Sequence, residues 1–394
     1  MTDLFGRNFL FCCYLFLTCM ITDVHASEAD QKHSGVMPYM YLGVEQFTNL
    51  SGGLERGTSF FGLLEAGLDV DLEDLAGWPG TTFHVSGLLA GGEDPSRNVG
   101  DFNTLSNIAA PDGLFFYEAW LETHMLADRA RIKVGQMTVD GDFMGSEYGS
   151  LFINSGFGIL NTFSGNTGVP TYPLGALGAL IQYKWPETAY IQTAVYDGDA
   201  GSDQRHGVDY RFNDEEGAII VYELGTDGFA PGGLAGKYKI GGYYHTGEFT
   251  DFRDGIMERG NYSFYVVGDQ VLLNWLDGVP KLAGFFRAGY NPQEERNTVS
   301  FYIEGGINLF APLPGRGDDV AGAGVFFTDF STDAVRDLRL TEPQVNGSES
   351  VLEIFYQVQI TSWLSIKPEF QFIFKPQLAE DDAVLFGTRL EISL

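Results

Sequence analysis

Charged and aromatic residues fall on alternate positions in the stretch Leu114–Met137, LFFYEAWLETHMLADRARIKVGQM. One alternate set is Phe116, Glu118, Trp120, Glu122 and His124; Arg131 and Lys133 follow beyond a tight turn at Ala127–Asp128–Arg129. Carboxylates, cations and an indole on one surface can hold a polar solute by hydrogen bonds, charge and ring packing. In this spacing they are not a set for making and breaking covalent bonds. His33, His84, His124, His206 and His245 show neither an HExxH nor a paired spacing. There is no GxSxG elbow and no phosphate loop. Asp197, Asp199 and Asp203 suggest a calcium loop, but the glycine at the sixth position and the closing glutamate are missing. No cofactor, metal or catalytic set is expected, with a loose divalent site on an external loop as the alternative.

These residues need strands to position them. Successive side chains on a strand point to opposite faces. Phe115, Tyr117, Ala119, Leu121, Thr123 and Met125 then make an apolar face opposite the charged one, and Ile132 and Val134 oppose Arg131 and Lys133. A soluble sheet shows the same alternation. Here it recurs along almost the whole chain, with no helical stretch of comparable length between. Apolar outside and charged inside is the pattern of a barrel set in a lipid bilayer. After the leader, no segment reaches the ~20 uninterrupted apolar residues of a spanning helix, and lipid leaves no partner for an open sheet edge. The expected fold is all-β: a transmembrane antiparallel barrel of about 16 strands, with long external loops and short periplasmic turns.

The 394 residues suit a large barrel formed as one domain. Its 51 glycines and 14% aromatics are high, and its 19% charged residues low, for a soluble domain. The start, MTDLFGRNFLFCCYLFLTCMITDVHA, carries Arg7, an apolar run from Phe9 to Ile21, and Val24 and Ala26 at cleavage spacing. Residues 1–26 read as a secretory signal peptide, cleaved after Ala26. Cys12, Cys13 and Cys19 all lie in it, so the mature chain, 27–394, is expected to hold no thiol or disulfide. Leu17–Thr18 before Cys19 make a poor lipoprotein site. The leader carries Arg7, Asp3 and Asp23, so its loss moves the formal charge from −30 to −29. Charge of this sign repels nucleic acid. The acidic runs read as solvated loops; divalent binding or a cation bias in a pore are the alternatives.

Sixteen strands can be marked: Val36–Phe47, Ser59–Glu73, Thr81–Ala90, the two strands of the hairpin, Gly175–Trp185, Ala189–Tyr196, Gly217–Leu224, Lys237–Phe249, Tyr262–Trp275, Leu282–Tyr290, Val299–Phe310, Asp319–Phe330, Val351–Thr361, Leu364–Phe374 and Ala383–Leu394. Connections after odd strands tend to be long (91–113, 139–174, 197–216, 331–350), and those after even strands short (74–80, 127–129, 186–188, 362–363). Gly225–Gly236 is longer than that rule. Long loops at one end and short turns at the other mark an outer-membrane barrel. Parity puts the N-terminus in the periplasm. No repeat of roughly 20–50 residues points to a propeller or solenoid. In the last strand Val384, Phe386, Thr388, Leu390, Ile392 and Leu394 oppose Arg389 and Glu391, as suits closure, although such barrels commonly end in an aromatic residue.

The densest block, LLEAGLDVDLEDLAGWPGTTFHVSGL at Leu63–Leu88, resembles the carbohydrate-selective porins of the OprB family. The resemblance continues in LFINSGFG at Leu151–Gly158, in Tyr172–Pro173–Leu174, in VYDGDAG at Val195–Gly201, in the Pro368–Gln371–Pro376 segment and at Gly387–Arg389. It covers most of the mature chain. It implies an outer-membrane barrel of a Gram-negative bacterium that passes mono- and oligosaccharides by passive diffusion. The partners so implied are carbohydrates and outer-membrane lipids, with the chain as a monomer or a homo-oligomer. It transfers no individual sugar contact. Two other classes stay open: a general or cation-preferring porin, favoured by the charge, and a barrel enzyme or adhesin.

Strand parity marks an inward set: Glu65, Asp69, Glu118, Trp120, Glu122, Arg131, Lys133, Arg287, Tyr302 and Glu304, with Glu353 and Gln357 beside them. The first ten are the candidates for lining a pore and touching the solute; each reads equally as an ordinary wall residue. Sugar hydroxyls pair with carboxylates and guanidinium groups, and sugar C–H faces lie on rings. Such contacts must be favourable yet weak, so that the solute also leaves. Residues 139–174 form a loop of about 36 residues, far beyond the usual ~4–6. With Phe143, Phe152, Phe157, Phe163 and Tyr172 in it, the loop is expected to fold into the lumen and constrict it; a lid on the rim is the alternative.

Overall fold

The computed structural model describes residues 35–185, 189–201, 205–208, 210, 215–228, 231–275, 279–342 and 344–394. The signal peptide and Asp203 lie outside the described residues. Sixteen strands close into one barrel, each paired antiparallel with the next, and the last with the first. They are β1 (Val36–Ser51), β2 (Gly57–Asp71), β3 (Thr81–Gly92), β4 (Gly113–Met125), β5 (Ala130–Met137), β6 (Ala176–Trp185), β7 (Ala189–Asp197), β8 (Ala218–Asp227), β9 (Gly236–Thr250), β10 (Met257–Asn274), β11 (Pro280–Tyr290), β12 (Val299–Phe310), β13 (Val320–Phe330), β14 (Ser348–Thr361), β15 (Leu364–Phe374) and β16 (Ala383–Ser393).

The two faces differ as the alternation requires. On β11, Phe286 is exposed between buried Phe285 and Arg287; on β12, Ile303 is exposed between buried Tyr302 and Glu304. The outer face is apolar and the inner face polar, as a bilayer demands of a barrel. Four of the five tryptophans, Trp78, Trp185, Trp275 and Trp363, lie exposed at the short-turn end. Indoles sit best at a membrane–water interface, so this end marks one edge of the lipid belt.

Two local features depart from simple alternation. In the β3–β4 pairing Ser86 faces Glu118 and Gly87 faces Phe116, leaving Tyr117 without a partner. This bulge adds a residue and reverses the parity upstream. Phe115 therefore turns inward, 1% exposed, to pack with Phe61, Leu63 and Leu88, instead of joining the outer face. Tyr117 also packs against that inner cluster. The second departure ends β2 at Asp71, earlier than the alternation suggests. The Asp71 carboxylate caps a one-turn helix, α1 (Leu72–Ala76), by accepting from Glu73 N at 2.9 Å. Gly77 closes the helix at φ 70°, a conformation that favours glycine.

The largest apolar core lies between the wall and two connecting segments, 93–112 and 138–175. Phe152 meets Phe157, Phe285 and Phe355 at ring-centroid distances of 4.5, 5.4 and 5.0 Å. Phe157 meets Phe326 at 5.3 Å and Phe163 meets Tyr243 at 4.6 Å. Phe285, Phe326, Phe355 and Tyr243 are buried residues of β11, β13, β14 and β9. The shorter segment joins the longer: Asn107 N donates to Ile153 O at 2.7 Å and Ser155 N to Thr104 O at 3.0 Å.

Candidate functional site

On β1 to β4 three rings stand in a row. Tyr39 and His84 stack at 5.8 Å and 23°, and His84 and Trp120 at 4.6 Å and 9°. The Lys133 ammonium sits 4.3 Å from the Trp120 ring centre. Gly67 on β2 makes the row possible: a Cβ there would lie 2.5 Å from Tyr39 Cε1. Each ring directs a carboxylate. Tyr39 OH donates to Glu65 at 2.7 Å, His84 Nδ1 lies 2.7 Å from Asp69, and Trp120 Nε1 donates to Glu118 at 3.2 Å. One face of Trp120 is covered by His84 and the ring also lies under Lys133. The Trp120 ring, expected as a surface for sugar C–H faces, is thus stacked on His84 and bonded at its edge to Glu118.

A charged knot continues the strip on β4 and β5. Arg131 donates to Glu122 at 3.3 Å and to Asp142 at 2.7 Å, and Lys133 donates to Asp142 at 3.0 Å. Asp142 belongs to the start of the long segment, so the knot ties that segment to the wall. Thr138, beside it, donates from N and Oγ1 to Glu118 at 2.8 and 3.0 Å.

Next to the strip along the wall, a cavity of about 590 Å³ opens between the two segments and the β16–β1 seam, lined by Tyr41, Asn107, Asp140, Tyr172, Arg389 and Glu391 among others. Arg389 donates to Glu45 at 2.5 Å and to Asn107 at 2.6 Å. Tyr41 OH donates to Glu391 at 3.1 Å, and Tyr172 OH to Ile108 O at 2.6 Å. Asp140 Oδ1 is buried without a hydrogen-bond partner. Burial, aided by the nearby Glu118 charge, pushes the Asp140 carboxyl up to about 6.

The structure divides the ten candidates in two. Glu65, Asp69, Glu118, Trp120, Glu122, Arg131 and Lys133 share the strip and the knot. The Asp69 side chain is 34% exposed, against 18% for Arg131 and 16% for Glu122. Arg287, Tyr302 and Glu304 sit elsewhere, buried beneath the 138–175 segment. Arg287 pairs with Glu304 at 2.6 Å and donates to Phe157 O and Gly158 O, each at 2.6 Å. Tyr302 OH donates to Gly156 O at 2.6 Å. These three grip the segment. Tyr39, His84, Asp140, Asp142 and the Arg389 cluster were not singled out by strand parity. Tyr39, Tyr41 and Glu45 on β1, His84 on β3, and Arg389 and Glu391 on β16 do alternate with the apolar set of their strands, whereas Asp140 and Asp142 lie in the long segment, beyond the reach of that alternation. Among the described residues, no group of three or more His, Cys, Asp or Glu is placed to hold a metal ion.

A closed barrel of sixteen strands, apolar outside and charged inside, with chain packed against its inner wall, is an outer-membrane diffusion channel. The chain belongs to the carbohydrate-selective porins of the OprB family, whose model matches residues 55–394. It is similar to Porin B of Pseudomonas aeruginosa, 22% identical over 396 residues, covering 89% of this chain and 86% of that one. It is also similar to the putative porin QuiX of Acinetobacter baylyi, 23% identical over 387 residues, covering 88% and 86%. The fold matches the high-pH structure of Pseudomonas putida OprB at a TM-score of 0.85 and 18% identity, over 94% of this chain and 97% of that one. The low-pH structure of the same protein matches at 0.62. The molecule is an outer-membrane sugar porin.

Proposed function

We propose that carbohydrates cross this barrel along one arc of its wall. The arc runs from β16 through β1 to β5, and segments 93–112 and 138–175 form the opposite side of the passage and constrict it. The observation that carries this reading is the division of the inner wall. From β8 to β15 it is packed against the two segments, whereas the Arg389 cluster of β16 and β1 lines the cavity and the strip and knot of β1 to β5 continue from Tyr41 along the same wall. Glu65, Asp69, Glu118, Glu122 and Arg131 then meet sugar hydroxyls, and Trp120 and Lys133 hold those groups in place. Every ring donor in the strip is already bonded to a carboxylate. A hydroxyl exchanges with these bonds instead of filling an empty site, which suits contacts that form and release quickly.

The acids on this arc outnumber its bases, so the passage also favours cations over anions. The lipid-facing belt serves only to seat the barrel, and we infer no catalytic role. Liposome swelling with mono- and disaccharides tests the reading. Wild-type protein is expected to pass neutral sugars faster than uncharged solutes of equal size that lack vicinal hydroxyls. Equal rates for both would reduce the molecule to a general porin.

A further inference from the structure

We propose that four buried wall carboxylates, Glu223, Asp269, Glu349 and Glu353, are positioning residues that set the width of the passage. The proposal rests on the reading of the two segments as the constriction.

A segment lying inside a barrel has a problem that the strands do not share. Its backbone groups are buried and need partners, but the backbone groups of the wall are already committed to the ladder. Apart from bonds within and between the segments themselves, wall side chains remain. A carboxylate has two oxygens and accepts several N–H groups at once, so it is suited to hold an irregular backbone.

The four residues do this at successive points. Glu223 on β8 accepts from Met144 N at 2.9 Å. Asp269 on β10 accepts from Glu147 N and Tyr148 N, each at 3.2 Å, and from Ser146 Oγ at 2.6 Å. Glu353 on β14 accepts from Ile153 N at 2.7 Å and Asn154 N at 2.8 Å. Glu349, four residues earlier on the same strand, accepts from Phe102 N at 2.8 Å and Asn103 N at 3.0 Å in the shorter segment. All four are at most 2% exposed. They do not touch the open arc, so they act on permeation only through the segments they hold. Because they bond to backbone, they fix where the segments run without dictating which side chains those segments present.

The test uses full-length protein carrying Glu353→Gln or Asp269→Asn. An amide offers one acceptor oxygen and turns an N–H₂ toward a backbone donor, so it keeps the volume and loses the grip. Each variant is expected to keep the heat-modifiable gel migration of a closed barrel. Each is expected to show higher single-channel conductance and a disaccharide-to-monosaccharide swelling ratio moved toward one. Glu342→Gln, an exposed acid outside both segments, controls for loss of one charge and is expected to behave as wild type. A reporter cysteine at Ile153, which is fully buried in the seated segment, is expected to resist an impermeant maleimide in the parent and to react in the Glu353→Gln background.

Closed barrels with unchanged conductance, discrimination and labelling would overturn the proposal. So would equal changes in the Glu342→Gln control, which would trace the effect to charge alone. If the wild type passes no sugar, the transport reading fails, while the conductance and labelling arms still decide whether these carboxylates position the segments.

Discussion

Asp140 lines the cavity of the proposed passage. Its carboxyl is raised to about 6, chiefly by burial, so it is neutral below that pH and negative above it. The folded protein holds this proton more tightly than an unfolded chain does. The resulting stabilisation is present at acid pH and is lost as pH rises from the ordinary carboxylate range through about 6. For permeation the sign is opposite: cation preference is expected to grow between pH 5 and 7. Reversal potentials across that range measure it, and Asp140→Asn should flatten the curve. Arg131 and Trp120 separate charge from orientation. Arg131→Ala removes the cation between Glu122 and Asp142, so both ion selectivity and sugar block should change. Trp120→Ala leaves every formal charge in place but frees Glu118 and His84 from their partner. Loss of about one hydrogen bond, ~1 kcal/mol, should weaken sugar block about fivefold, with a smaller change in conductance. Current-block titrations with a monosaccharide distinguish the two.

At the scale of elements, strand number and the alternation of long and short connections were legible because period two and turn chemistry are local. What was hidden depends on contacts between distant parts of the chain. No local signal marks Tyr117 as a bulge, since Phe115 and Phe116 fit either face equally well. His84 reads as a lone wall histidine until Gly67 lets Tyr39 lie across β2 to meet it. Arg287, Tyr302 and Glu304 have the alternation of pore-lining residues, but which part of the wall a long segment covers is set by its path, not by the strands. The 138–175 segment carries its own prediction. Shortening it between Gly145 and Gly168 removes Phe152, Phe157 and Phe163 from the core and uncovers the β9–β14 wall. Conductance should rise and discrimination among sugars should flatten, while the ladder-closed barrel still assembles. Unchanged planar-bilayer currents in such a variant would place the constriction elsewhere.

At the scale of the molecule, the formal charge of −30 is spread over external loops as well as the passage. The two contributions separate by ionic strength. At 1 M salt the Debye length is about 3 Å, so loop charge is screened and acids at close range still act. Cation preference should therefore persist at high salt, though reduced; its disappearance would assign it to the loops. The proposed passage has walls of unlike origin, with hydrogen-bonded strands on one side and irregular chain on the other. A strand cannot gain or lose a single residue without turning its apolar face inward. The facing segment tolerates insertions and deletions, as loops generally do. Relatives of this barrel should therefore differ in permeant size through length changes confined to the segments following β3 and β5, and in permeant charge through point substitutions on β1 to β5.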